Sequence, residues 1–177
     1  MIGRRGAIRS VNNATERLFG YAAGEQLVAE ALALALVGAR QRGVRTALEL
    51  DEALPPVLVD HVQIQQVVLN LVRNAVEAIE ESERRELSVG TRAIPEQGMA
   101  EIIIADSGPG IAPELADRLF QPFVTTKPNG KGMGLSICRE IVEAHQGRLT
   151  TAPARAGGAI FIVSLPITGG EEPTDGG

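Results

Sequence analysis

Residues 60–79 read DHVQIQQVVLNLVRNAVEAI. Apolar side chains recur at Ile64, Val67/Val68, Leu71, Ala75 and Ala78/Ile79, the spacing of one face of a helix. Asp60 stands where an N-cap belongs, and the pattern predicts a helix running to about residue 80. A helix with one apolar face needs a second layer to cover it. Asn70 and Asn74 are four apart and share the edge of that face. Carboxamides at a buried edge are costly unless something bonds them. An amide oxygen is a fair ligand for magnesium, which takes oxygen donors in octahedral geometry and keeps several waters. Asn74 is the expected ligand. Arg73 and Glu77 are also four apart: they are spaced to pair, and Arg73 is equally placed to reach a phosphate. Taken alone, these residues equally describe a polar helix edge with ordinary surface amides.

Working outward, residues 44–50 alternate as a strand and Pro55–Pro56 ends the connection to the helix. Residues 87–93 and 99–105 read as a strand pair around a polar turn at 95–98. A short helix starts at Pro113 and runs to about 119. Residues 120–133 contain Pro122, Pro128, Gly130 and Gly132, the signature of a mobile loop. A helix over 134–145 and strands over 148–152 and 158–165 complete the unit. The order is strand, helix, two strands, short helix and loop, helix, two strands. It predicts a two-layer α/β sandwich with a mixed sheet covered on one face by helices. No phosphate-binding loop of the Gly-x-x-x-x-Gly-Lys-Ser/Thr type is present, so a parallel nucleotide-binding sheet is disfavoured.

Two further segments carry chemistry. Asp106-Ser107-Gly108-Pro109-Gly110 follows the apolar run Ile102–Ile104, so its acid sits where a strand leaves the sheet. A carboxylate accepts from an exocyclic amine and can therefore read adenine. Gly108 and Gly110 allow close backbone approach. The second segment is 120–135, FQPFVTTKPNGKGMGL. Phe120 and Phe123 are two of four phenylalanines and bracket a proline, placed to anchor or hinge the loop. Thr125, Thr126, Lys127 and Lys131 offer hydroxyls and positive charge to a polyphosphate. Gly130, Gly132 and Gly134 open the backbone, and N–H groups at a helix start bind phosphate. Each segment alone fits an ordinary turn or surface loop. Their occurrence together, with the carboxamide pair, points to a pocket for ATP and magnesium.

Composition bounds the rest. The chain has 177 residues, enough for one full domain and a small appendage. Apolar residues make up 44% and aromatics 3%, so the core must be aliphatic. Net charge is -5 and no basic block is long enough to track nucleic acid. The single cysteine, Cys138, forms no intrachain disulfide and fits a reducing compartment. No apolar run approaches the roughly 20 residues of a membrane span, and no signal peptide is visible. A cytoplasmic protein is expected.

These motifs resemble the catalytic and ATP-binding domain of bacterial sensor histidine kinases, in the superfamily that includes gyrase, the Hsp90 chaperones and MutL. The resemblance covers roughly 44–166. QIQQVVLNLVRNAVEAI is similar to the family's N box, DSGPGI to its first glycine box, and LFQPFVTTKPNGKGMGLSI to its F box and second glycine box. The style of NLVRNAVEAI looks most like FixL-like and nitrogen-regulatory kinases. The resemblance implies the Bergerat ATP-binding fold, with a mixed, mostly antiparallel sheet. It implies Asn74 on magnesium, Asp106 on the adenine amine, and Gly108, Gly110, Gly132 and Gly134 shaping pocket and lid. Asn70 falls where relatives carry the residue that orients or deprotonates the attacking nucleophile; an amide is no strong base, but an imidazole needs mainly positioning. Asn70 and Lys127 are the expected catalytic pair. The expected nucleotide contacts are Arg73, Asn74, Glu77, Asp106, Gly108, Gly110 and Ile111, with Phe123, Thr125, Thr126, Gly130, Lys131, Gly132, Met133, Gly134 and Leu135 from the loop and following helix.

The front end resembles the opening of a PAS sensor domain over 1–24, in GAIRSVNNATERLFGY, with a strand expected at 7–11 and a short helix ending near Gly20. Residues 25–43 look like the tail of the family's dimerisation and phosphotransfer helix; their apolar surface suits packing on the next domain or a weak dimer. Residues 167–177 read as a disordered tail. The family's His-Glu-x-x-x-Pro acceptor pattern is missing. His61 reads as a surface or phosphate-neighbouring residue and His145 as a helix C-terminal cap. The expectation is an ATP-binding kinase domain serving an acceptor histidine on another module and, through it, a response regulator. The alternative is an ATP-binding regulatory module without kinase activity. A gyrase-like hydrolase needs a glutamate near position 70, where this chain has Asn70.

Overall fold

The computed structural model describes residues 20–22, 24–124, 134–155 and 157–168. The expectations for 7–11 and for the helix ending near Gly20 lie outside these residues, as does the tail expected over 167–177 except at its start, where Ile167 and Thr168 are instead tied down, their N–H groups donating to Gly98 O and Pro56 O. The elements are β1 (Gly20–Ala22), α1 (Gly24–Gln41), β2 (Arg45–Glu49), β3 (Val57–Val59), α2 (His61–Ala78), β4 (Glu86–Ile94), β5 (Met99–Asp106), α3 (Pro113–Ala116), α4 (Gly134–Ala144), β6 (Arg148–Pro153) and β7 (Ala159–Pro166).

Five strands form one sheet in the order β2-β4-β5-β7-β6. β2 runs parallel to β4, and the remaining pairs are antiparallel. The sheet is mixed and mostly antiparallel, with the helices against it, the architecture typical of the Bergerat fold. Period-two burial explains why one face is covered. β5 buries Ala100, Ile102, Ile104 and Asp106; β7 buries Ala159, Phe161, Val163 and Leu165. α2 lies on this face and buries Ile64, Val67, Val68, Leu71, Val72, Ala75 and Val76, a broader stripe than the pattern in the sequence suggested. Its start is capped as read: Gln63 N–H donates to Asp60 Oδ1 at 3.1 Å. Ala78, assigned to the buried face, is exposed, while Ile79 beside it is fully buried.

Two features were not legible. β1 and β3 form a separate antiparallel ribbon, Gly20 opposite Val59. Three-residue strands carry too little alternation to read, and Val57 and Val59 looked like the end of a connection although both are buried. The second feature is the packing of α1. Leu32, Leu36 and Ala39 are buried in the same core as α2 and the sheet, so the C-terminal half of α1 packs within this chain. Val37, 60% exposed, is left outside.

Candidate functional site

Two contacts set how α2 and α4 lie together. The Asp60 N–H donates to His145 Nε2 at 3.0 Å, and the Cys138 thiol faces the Val67 carbonyl at 4.0 Å. Moving forward along α2 from Asp60 to Val67 matches moving back along α4 from His145 to Cys138, so the helices are antiparallel. Continued by one turn, that register brings the Asn70–Asn74 stretch level with Gly134, where α4 begins. The carboxamides and the glycine read as a phosphate-facing helix start therefore share one end of the molecule.

Asn70 and Asn74 are both half-buried, and Arg73 is exposed. Arg73 Nη2 donates to Asn70 Oδ1 at 3.1 Å. Beneath them, burial pushes the Cys138 thiol up to about 11, against a hydrogen bond from Asn70 and the charge of Arg73. The thiol is therefore protonated and inert at neutral pH. Glu77 is half-buried one turn further along.

Asp106 ends β5 on the buried face, 6% exposed. The N–H groups of Gly108 and Ala159 both donate to its Oδ1, at 2.9 and 3.3 Å. Desolvation raises its pKa, and those two bonds oppose the rise. Gly108 is confined: a Cβ there would lie 3.0 Å from both Ala78 O and Asp106 Oδ1. The loop after β5 thus closes on the C-terminal end of α2, the end that carries Asn74. Gly110 has φ 82 and lies against Gly158 of the β6–β7 turn. Ser107 braces the loop, accepting from Glu86 N–H at 2.9 Å and donating to Arg84 O at 2.7 Å. Ile111 is partly buried against the core.

The two phenylalanines part company. Phe120 packs on the core with the Arg139 guanidinium 5.9 Å from its ring centroid. Phe123 is 77% exposed with φ 66, a left-handed backbone that non-glycine residues rarely adopt. Phe120 is the anchor; Phe123 projects outward. Leu135 packs partly against the core. Thr125, Thr126, Lys127, Gly130, Lys131, Gly132 and Met133 lie outside the described residues. Reading the sequence missed Ser107, Arg139 and the Gly157–Gly158–Ala159 turn. The paired glycines Gly157 and Gly158, between the last two strands, were the visible signal.

His145 is fixed at both ring nitrogens. Nδ1 lies 2.7 Å from Ile141 O and must donate to it, while Nε2 accepts from Asp60. The ring does cap α4, as read, but as the neutral tautomer and a bridge to α2.

The sequence model described as "Histidine kinase-, DNA gyrase B-, and HSP90-like ATPase" matches residues 59–169. The chain belongs to this family. Among similar proteins, the sensor protein FixL of Bradyrhizobium diazoefficiens is 47% identical over 141 residues, which are 80% of this chain and 28% of FixL. The C4-dicarboxylate transport sensor protein DctS of Rhodobacter capsulatus is 41% identical over 80% of this chain and 22% of DctS. The chain thus spans about a quarter of the length of these curated relatives. Among solved structures, the catalytic domain of histidine kinase ThkA superposes with a TM-score of 0.75 at 33% identity, covering 85% of this chain and 96% of that one. Full-length ShkA in complex with AMPPNP gives 0.75 at 29% identity, over 88% of this chain and 32% of ShkA. The chain is an ATP-binding catalytic domain of the sensor-histidine-kinase kind. No described helix is long and apolar enough to cross a membrane.

Proposed function

We propose that this histidine-kinase domain binds ATP with magnesium and hands the γ-phosphoryl group to a histidine on a separate helical module. The observation that carries this reading is the convergence at one end of the fold. The loop after β5, with buried Asp106, closes on the C-terminal end of α2, and the antiparallel register brings the start of α4 level with the Asn70–Asn74 edge.

Asp106 accepts the adenine amine, and Gly108 lets the base approach the backbone. Asn74 offers an amide oxygen to magnesium. Among the described residues no group of three or more His, Cys, Asp or Glu side chains is placed to hold a metal ion. The donor set therefore suits an ion that arrives with phosphate and water ligands, not one held in a protein cage. Magnesium held there would supply neutralisation of charge on the phosphoryl oxygens. Asn70, held by Arg73, orients the incoming imidazole, and the amides at the start of α4 face the phosphates. Lys127, Lys131, Thr125 and Thr126 supply the remaining phosphate contacts in this reading. ThkA has been solved in complex with the response regulator TrrA, which supports a response regulator as the eventual recipient here.

Calorimetry with ATP, with and without magnesium, tests the binding step: saturable, magnesium-enhanced heat is expected, and its absence would end the reading. Asn74→Ala is expected to remove the magnesium enhancement while leaving weak nucleotide binding. Mixing the chain with an acceptor-helix fragment and γ-labelled ATP tests transfer. Binding without label on the fragment's histidine would make the domain a regulatory module.

A further inference from the structure

The β6–β7 turn closes on Asp106, with Gly157 near the Gly108 carbonyl. At Gly158, φ is 98, and an added Cβ would overlap the backbone carbonyl of Asp106 and come within 3.1 Å of its Oδ1. Gly110 meets the same turn: a Cβ added there would lie 3.2 Å from Gly158 O. The turn is held in shape by Ala154 N–H donating to Gly158 O and Gly157 N–H to Ala154 O, both at 3.2 Å. The first amide of β7, Ala159 N–H, then points across to Asp106 Oδ1.

We propose that Gly158 and the Ala159 amide are positioning groups that set base selectivity: Gly158 lets the turn close against Asp106, and the Ala159 and Gly108 amides bind Oδ1 and so present Oδ2 to the nucleotide as an acceptor. This rests on the ATP reading above and adds the element that aims the carboxylate. A side chain free to rotate, or one that took up a proton, could meet a purine carbonyl as readily as an amine. Two amides on one oxygen forbid the rotation and favour the ionised form. An ionised acceptor selects a base with an amine and repels one with a carbonyl at that position.

The test compares ATP with inosine triphosphate, which carries a carbonyl where adenine has its amine. Two variants of the full chain are used: Gly158→Ala, and replacement of the Ala159 amide by an ester, which deletes one N–H and keeps every side chain. The wild-type protein should prefer ATP by at least about tenfold, the order of one hydrogen bond to a charged group. In both variants the preference should collapse toward equality, through weaker ATP binding and little change for inosine triphosphate. Indiscriminate damage would lower both affinities together. The ester should also move the acid limit of ATP binding to higher pH, because one of two bonds favouring the carboxylate is gone. If Gly158→Ala fails to fold, the ester decides. A folded ester protein with the wild-type preference and an unmoved acid limit overturns the role of the turn and leaves ATP binding intact. A wild-type chain that binds no ATP overturns both.

Discussion

Asp106 shows how one residue carries function at a cost in stability. Its carboxyl is buried on the core face of β5 and its pKa is raised by desolvation. A raised acid favours the folded state fully below the ordinary aspartate range, and that advantage is lost as pH rises through the raised value. Asp106→Asn should therefore be at least as stable as wild type at neutral pH, with the gap shrinking as pH falls toward the ordinary aspartate range. Thermal melts of both proteins between pH 4 and 8 on the order of one-unit steps would check this. The same variant should bind ATP at least about a hundredfold more weakly, because a carboxamide N–H2 donor replaces the acceptor facing the base. A less stable variant at neutral pH would contradict the desolvation argument. The acid itself was legible in the sequence, at the end of the apolar run Ile102–Ala105 and in company with the carboxamide pair and the glycine-rich loop. Its second amide donor was not, because Ala159 lies 53 residues further along the chain.

At the scale of elements, the pairing of α2 with α4 decides where the carboxamides lie relative to the loop. Its far end is pinned by His145, which joins the start of one helix to the end of the other. His145→Ala leaves the Asp60 N–H and Ile141 carbonyl without this partner and should cost about 1–3 kcal/mol. Denaturant unfolding would measure it, with a shifted midpoint and unchanged slope. A 15N spectrum of the histidine ring should show Nδ1 protonated and Nε2 bare; the opposite tautomer would refute the bridge. Helix existence and the Asp60 cap came from local pattern alone. The bridge did not, because nothing local links residue 60 to residue 145.

For the whole molecule, the consequence lies in α1. Leu32, Leu36 and Ala39 share one core with α2 and the sheet. Leu32→Ala should cost about 2–5 kcal/mol and lower a single cooperative transition. Calorimetric melting separates this from an autonomous helix, whose loss would leave the main transition in place. The β1–β3 ribbon is part of the same lesson. Its strands are three residues long, yet β3 buries Val57 and Val59 in the same core.

What the sequence determined by itself is local and periodic: α2 and its cap, the β4–β5 pair, the strand exit at Asp106 and the glycine-lined segments. Hydrophobic period and turn chemistry act over a few residues, so they are written where they operate. The tertiary structure alone decided that α1 belongs to the core, that Phe120 anchors while Phe123 points outward, that His145 is a neutral bridge, and that the β6–β7 turn braces the acid. Each of these depends on groups far apart in sequence meeting at close range, and on which of several apolar faces finds a partner. No residue's own pattern contains that choice; it is made by the packing of the whole.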